Sequence, residues 1–334
     1  MSELWHSLKR PFFVLAPMAD VTDAAFRRII ARYGKPDVLW TEFVSADGLY
    51  HTRERAHIPD AENQLMLDLT YTEEERPIIA QLFSSKPDML EYGAHLVAEL
   101  GFDGVDINMG CPDKSIEKQC AGAALMKDPA RARELIRAAK RGTGGKIPVS
   151  VKTRVGYNSV ELDTWLPELL KEEPAAITLH ARTRKEMSDV PARWEHVQHA
   201  VELRNKLQHS GGNSQTAIIG NGDVATVADA RVRVQETGAD GVMIGRGIFG
   251  NPWLFSERTP THAERMRVLV EHCEAFEEVC SHKSFSVMKK HFKAYVHGFE
   301  GAAALRDRLM CCDGATAVAA VLDGAVKDVR ETPH

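Results

Sequence analysis

Eight short apolar runs, each followed by a stretch of helical pattern, limit what this chain can fold into more than any other feature. They fall at 12–18, 37–43, 77–83, 103–110, 147–152, 175–180, 216–221 and 240–245. Punctuation between them is helical. Thr22 or Asp23 can cap a helix that stops at Gly34, a helix over 87–100 ends at Gly101, and Asp128-Pro129 opens another with Gly142 beyond its end. The segment 45–64 reads as a loop with one helical turn, and 208–215 as an extended surface loop. Strand-helix alternation over roughly 240 residues predicts an α/β fold, a (β/α)8 TIM barrel. A doubly wound sheet also alternates, but no GxGxxG follows the first run to support one. After Asn251-Pro252 the strands cease, and 262–279, 288–298 and 317–329 read as helices. The expected domains are a barrel over 1–253 and a C-terminal helical domain over 254–334.

Composition narrows the class. A chain of 334 residues with 44% hydrophobic and 27% charged residues is an ordinary globular protein, with no apolar run approaching the ~18 residues of a membrane span. Lys9-Arg10 and the apolar 12–16 faintly imitate a signal peptide, but the run meets Pro17 and Asp20, so it reads as a strand. Six cysteines, at 111, 120, 273, 280, 311 and 312, show neither CxxC nor zinc-type spacing. No metal site is expected, and the thiols should be reduced in a cytoplasmic setting. A net charge of −5 announces no nucleic-acid partner, so any such partner needs a local basic face.

Chemistry concentrates where the fourth strand ends. Val105 and Ile107 form its buried face, Gly110 stops it, and Cys111 follows ahead of Pro112 and a polar segment, 113–122, that looks mobile. A lone cysteine is more often a small hydrophobe than a reagent, but its strand-end position favours function. In such barrels the polar residues at the strand C-termini converge on one site. Here they are Gln81, Asn108, Lys152, His180 with Arg182, Asn221-Gly222-Asp223 and Gly245-Arg246-Gly247, joined by Ala16-Pro17-Met18 after the first strand. Any one could be structural: Gln81 satisfying a backbone group, Lys152 half of an ion pair, His180 a core histidine. Their shared position along the strands argues against that for the set. The glycine turns after strands seven and eight sit where these barrels hold phosphate, with Arg246 as a charged partner. Lys152 suits the N1/O2 edge of a flavin and Gln81 its pyrimidine edge. A Schiff-base role for Lys152 would leave the cysteine loop unexplained.

Ala16-Pro17-Met18, 108–112 (Asn-Met-Gly-Cys-Pro), 122–126 (Gly-Ala-Ala-Leu-Met), 180–184 (His-Ala-Arg-Thr-Arg), 221–223 and 245–247 together resemble the motifs of the tRNA-dihydrouridine synthases, in that family's order. The resemblance implies an oxidoreductase with FMN that reduces selected uridines in tRNA with electrons from NADPH. It implies FMN contacts from Ala16, Pro17, Met18, Gln81, Lys152, His180, Asn221, Gly222, Asp223, Gly245 and Arg246. Cys111 would be the catalytic proton donor, with Asn108 and Arg182 beside the substrate uracil. Gln119-Cys120-Ala121 departs from the family's glycine-rich pattern and places a second thiol near the first.

A tRNA needs cationic footing. Residues 279–299 carry Lys283, Lys289, Lys290, Lys293 and three histidines with no acid, interleaved with Phe285, Phe292 and Tyr295. Lys289, Lys290 and Lys293 fall on one helix face, a phosphate track. The equally basic 127–146 reads as outer-ring surface, and Arg53, Arg55 and Arg184-Lys185 as loops near the mouth. Two other readings remain open. One is an FMN enzyme resembling dihydroorotate dehydrogenase, acting on a small pyrimidine. The other is a non-catalytic tRNA-binding factor. The chain is expected to act as a monomer, off the membrane.

Overall fold

A computed structural model describes residues 4–209 and 215–331, so most of the insertion expected at 208–215 lies outside the described residues. Every expected strand is present: β1 Phe12–Leu15, β2 Leu39–Ser45, β3 Ile78–Phe83, β4 Gly104–Met109, β5 Val149–Arg154, β6 Ala176–His180, β7 Ala217–Asn221 and β8 Gly241–Ile244. All eight are parallel and pair in the order β1-β8-β7-β6-β5-β4-β3-β2. Val14 bridges Val38, and the Leu15 N–H donates to the Val38 carbonyl at 3.2 Å, which brings β1 to β2 and closes the (β/α)8 barrel.

Alternation along the strands divides the barrel's interior into two storeys. At the N-terminal end it is apolar: Trp5 of the Leu4–Ser7 helix plugs it, 5.5 Å from Phe12 and 5.8 Å from Trp40 between ring centroids. Val14, Ile79, Ala217 and Ile219 belong to the same cluster. Toward the C-terminal end the inward positions turn polar, with Gln81, Asp106, Asn108 and Asn221 all buried.

Local signals explain most helices. The Asp23 carboxylate accepts from the Phe26 N–H to start the Ala24–Tyr33 helix, closed by Gly34. Asp128 caps the Pro129–Thr143 helix in the same way, but that helix ends at Gly144, with φ +57°, and not at Gly142. Gly142 serves packing instead, since a Cβ there would lie 2.2 Å from the Glu91 carbonyl of the Pro87–Glu99 helix. The segment expected as loop at 45–64 is more helical than its polarity suggests. Ser45 caps Ala46–Tyr50, which runs on as a π-turn over His51–Arg55, and Gln64–Leu67 adds a turn. Buried Ala46 and Leu49 anchor it.

The C-terminal helices are His262–Val279, Lys289–Tyr295, Ala302–Leu309 and Ala315–Glu331. The second is shorter than the expected 288–298 because Val296 leaves helical dihedrals, and the third was not expected. They dock on the barrel through Ala24, Ala25 and Ile29, which share a core with Leu269, Phe276, Phe292 and Leu305. Among the described residues, no helix is long and apolar enough to cross a membrane.

Candidate active site

The turns after β1, β6, β7 and β8, with Lys152 of β5, enclose a cleft that opens to solvent. Ala16, Pro17, Met18, Lys152, His180, Asn221, Gly222, Asp223, Gly245 and Arg246 line it, which is every position proposed from sequence for cofactor contact except Gln81. Arg182, grouped with Asn108 on sequence grounds, lines this cleft too, as do Ser188, Val224 and Met243, which carried no sequence signal.

Arg182 is the cleft's buried strut. Its Nε donates to the Val190 carbonyl at 2.5 Å, one terminal nitrogen to His180 Nε2 at 3.2 Å, and the other pairs with Asp223. Arg246, 65% exposed on its side chain, reaches the second Asp223 oxygen at 2.9 Å. Burial alone would raise the Asp223 carboxyl, but the Arg182 bond, the Ala192 N–H and the Arg246 charge outweigh it and hold it below the usual range. Burial, with Lys152, Arg154, Arg182 and Arg246 nearby, pushes His180 down to about 2, so the imidazole is neutral and accepts at Nε2. Lys152 donates to Asn221 Oδ1 at 3.3 Å and is lowered to about 8, first by burial and then by Arg154.

This cleft suits a phosphorylated cofactor. Gly222 holds φ +129°, and a Cβ there would sit 2.7 Å from the Ala192 Cβ. A Cβ on Gly245 would project between the β8 and β1 turns, 3.7 Å from Ala16 Cβ and Met18 Sδ. Both turns leave backbone open beside the exposed Arg246 guanidinium, as an anion cradle requires.

A second cluster stands on β3 and β4. Asn108 and Lys152 are direct neighbours across the β4–β5 pair, so the two parts adjoin. Asn108 Oδ1 accepts from the Gly110 N–H at 3.1 Å and the Cys111 N–H at 2.9 Å. Buried Arg154 clamps the same turn from the other side, its Nε donating to the Gly110 carbonyl at 2.9 Å. The Cys111 side chain packs against Phe83, Ile116 and Ala121, and this burial raises the thiol above the ordinary cysteine range. Gln81 is fully buried beneath it, bonded to Asp106 and Asn108.

The segment 113–122, which looked mobile, is structured. Asp113 caps the Lys114–Glu117 helix, Glu117 pairs with Arg184, and the Cys111 carbonyl accepts from the Ala123 N–H at 2.9 Å. Gly122, with φ +61°, permits that closure, since a Cβ would lie 2.8 Å from the Cys111 oxygen. Cys120 is exposed on the outside of the turn.

Residues 14–330 match the family model described as dihydrouridine synthase (Dus). The chain belongs to the dihydrouridine synthase family. A "Probable tRNA-dihydrouridine synthase 2" of Bacillus subtilis (strain 168) is 39% identical over 324 residues, covering 96% of this chain and 95% of that protein. A "Probable tRNA-dihydrouridine synthase" of Staphylococcus aureus (strain COL) is 37% identical, covering 96% and 94%. Among solved structures, a 2-naphthoyl-CoA reductase superposes with TM-score 0.54 at 11% identity, over 77% of this chain and 52% of its own. Histamine dehydrogenase from Rhizobium sp. 4-9 gives 0.51 at 14%, over 79% and 49%. The chain spans about half the length of those two, and the likeness is one of fold.

The basic tail is partly spent on docking. Lys283 bonds Glu42 Oε2 at 2.5 Å and Asp68 at 3.1 Å, while His282 bonds Asp68. Glu42 in turn accepts from the Asp20 N–H, and Lys290 donates to the Asp20 carbonyl at 2.8 Å, so both sides of the β1 turn are held from the tail. A β-bulge between Trp40 and Phe43 marks where Glu42 departs from regular pairing. Lys289, Lys290 and Lys293 line a groove with Arg306, Asp307 and Met310. Arg53 is paired with Asp60 and Arg184 with Glu117, whereas Arg55 is exposed. The basic 127–146 lies on the outer ring, with Arg133 and Arg137 bound to Glu172 and Arg141 to Glu91.

Proposed function

We propose that the chain is a flavin-dependent tRNA-dihydrouridine synthase, which reduces the C5–C6 double bond of selected uridines in tRNA. FMN would be held in the cleft, with its phosphate at the Gly222 and Gly245 turns beside Arg246, and NADPH would be the electron source. The observation that carries this reading is Cys111: a thiol kept protonated by burial, pinned at the end of β4, adjoining a cleft with the features of a phosphate cradle. When bound, the flavin would supply a hydride to C6 of the uracil. Cys111 Sγ would give its proton to C5, so hydride and proton together saturate the bond, and the chain is left with a thiolate. Lys152 and Arg154 lie close enough to Cys111 for their charges to act on that thiol and to steady the anion. Asn108 and Arg182 would border the base. A uridine must leave the RNA stack to enter such a site. The Lys289–Lys293 groove on the helical domain, over 254–334, would take the backbone phosphates.

Dihydrouridine formation in unmodified tRNA, with NADPH, tests this directly. Wild-type protein should form it and remain yellow, and Cys111→Ala should stay yellow but inactive. If wild type leaves tRNA untouched and oxidises small dihydropyrimidines, the substrate assignment is wrong. If flavin binds and no nicotinamide is oxidised, the catalytic assignment fails.

A further inference from the structure

Asp106 is fully buried in the middle of β4, and the chemistry above makes no use of it. A buried carboxylate is expensive unless it is bonded, and this one is bonded in an ordered way. Gln81 Nε2 donates to its Oδ2 at 2.6 Å, and Ser150 Oγ to its Oδ1 at 2.7 Å. The chain continues outward: Asn108 Nδ2 donates to Gln81 Oε1 at 3.0 Å, and Asn108 Oδ1 accepts from the Gly110 and Cys111 N–H groups.

Each amide in that chain could be turned by 180° if its neighbours allowed it. Turning Gln81 would set Oε1 against the Asp106 carboxylate, which accepts only. Turning Asn108 would set Nδ2 against two backbone N–H groups and Oδ1 against Gln81 Oε1. The backbone fixes one end of the chain and the carboxylate fixes the other.

We propose that Asp106 is a positioning residue: through Gln81 it locks Asn108 in the one orientation that secures the Gly110–Cys111 turn. The remaining N–H of Asn108 is then a donor at the end of β4. A donor there suits a carbonyl oxygen of uracil, a consequence that rests on the proposed function. The locking itself does not.

Three variants test it, read by dihydrouridine formation in unmodified tRNA and by the alkylation rate of Cys111 with iodoacetamide. Asp106→Leu removes the acceptor. It should lower kcat at least tenfold with the KM for tRNA within twofold, and speed alkylation at least threefold, while flavin content is unchanged. Asp106→Asn can still accept from Gln81 while donating to Ser150, so it should rescue both readouts to within threefold of wild type. Asp106→Asn with Ser150→Ala loses what orients the new amide and should fall at least threefold below Asp106→Asn alone. Wild-type behaviour of Asp106→Leu, or an Asp106→Asn as defective as Asp106→Leu, overturns the proposal. If Asp106→Leu does not fold, equality of the double variant with Asp106→Asn overturns it instead. Should wild type make no dihydrouridine, the functional reading fails, and the alkylation rates alone decide the locking.

Discussion

The two parts of the site are built on opposite plans. Around β6, β7 and β8 the cleft is made of charges and bare backbone: Arg182 and Arg246 converge on one carboxylate, and glycines leave room. Around β3 and β4 the groups are buried amides and a thiol over an apolar cluster, with a single carboxylate beneath them. Fixed charge suits an anion that must be held tightly and permanently. A neutral, desolvated thiol suits a group that must keep its proton until a reaction asks for it. On the proposed function, charge would do the holding in one half, and the exclusion of water would set the reactivity of the other.

Removing the thiol should give the largest separation between the halves. Cys111→Ala is expected to cost roughly 10²–10⁴-fold in dihydrouridine formation, the span of a general acid, without loss of flavin absorbance. Cys120→Ala should stay within about twofold, as expected of a residue outside the acid's role. Because burial raises the Cys111 thiol, the acid form persists through neutral pH, and a single-turnover rate should fall only on an alkaline limb above the ordinary cysteine range. A limb near pH 7 would mean that the apolar packing does not control the acid.

Next comes the carboxylate under the amides. Burial lifts Asp106 to about 6, against bonds from Gln81 and Ser150 and the charge of Lys152 that pull it down. With the folded value above the unfolded 3.8, the folded state binds the proton more tightly. Stability therefore declines as pH rises through that window. Above it the ionised group costs up to about 3 kcal/mol, taking 1.36 kcal/mol per pKa unit. Asp106→Asn should accordingly raise the unfolding free energy at pH 8 and change it little at pH 4, as measured by urea denaturation at both.

Gly222 tests the charged half by geometry alone. Alanine there must adopt φ +129° and meet the Ala192 Cβ, a strain of about 1–3 kcal/mol. FMN affinity, followed by fluorescence quenching, should fall roughly tenfold while the Cys111 alkylation rate holds. If both change together, the halves are not separable.

The asymmetry also explains what the sequence disclosed. Glycine turns and a cysteine at a strand end are local signals, so Asn221-Gly222-Asp223, Gly245-Arg246 and Cys111 were legible, as were all eight strands, whose apolar runs are contiguous. Asp106 was not, because an acid inside an apolar strand has no local pattern; only pairing of β3, β4 and β5 brings it to Gln81 and Ser150. The bond from Arg182 to Asp223 was hidden for a related reason, as that partner lies on the β7 turn. The order in 113–122 depends on Arg184, and the docking role of Lys283 on Glu42, and neither partner is near in sequence.

The smallest effect distinguishes both halves from the tail. Lys289 and Lys293 line the groove on the helical domain, and Lys293 is exposed. Replacing both with alanine should raise the KM for tRNA roughly threefold to tenfold near 0.1 M salt and flatten its salt dependence by about two phosphate contacts, with FMN affinity unchanged. Lys290→Ala is the informative neighbour. Its ammonium holds the Asp20 carbonyl, and Asp20 keeps a left-handed φ of +53° just after the Ala16–Met18 turn that lines the cleft. A strained residue persists only while its surroundings determine it. Lys290→Ala should therefore weaken FMN as well as tRNA, about twofold to threefold, a fraction of one charge-assisted bond. Were Lys290→Ala to affect tRNA alone, like its two neighbours, the tail would be a docking surface with no hold on the cofactor turn.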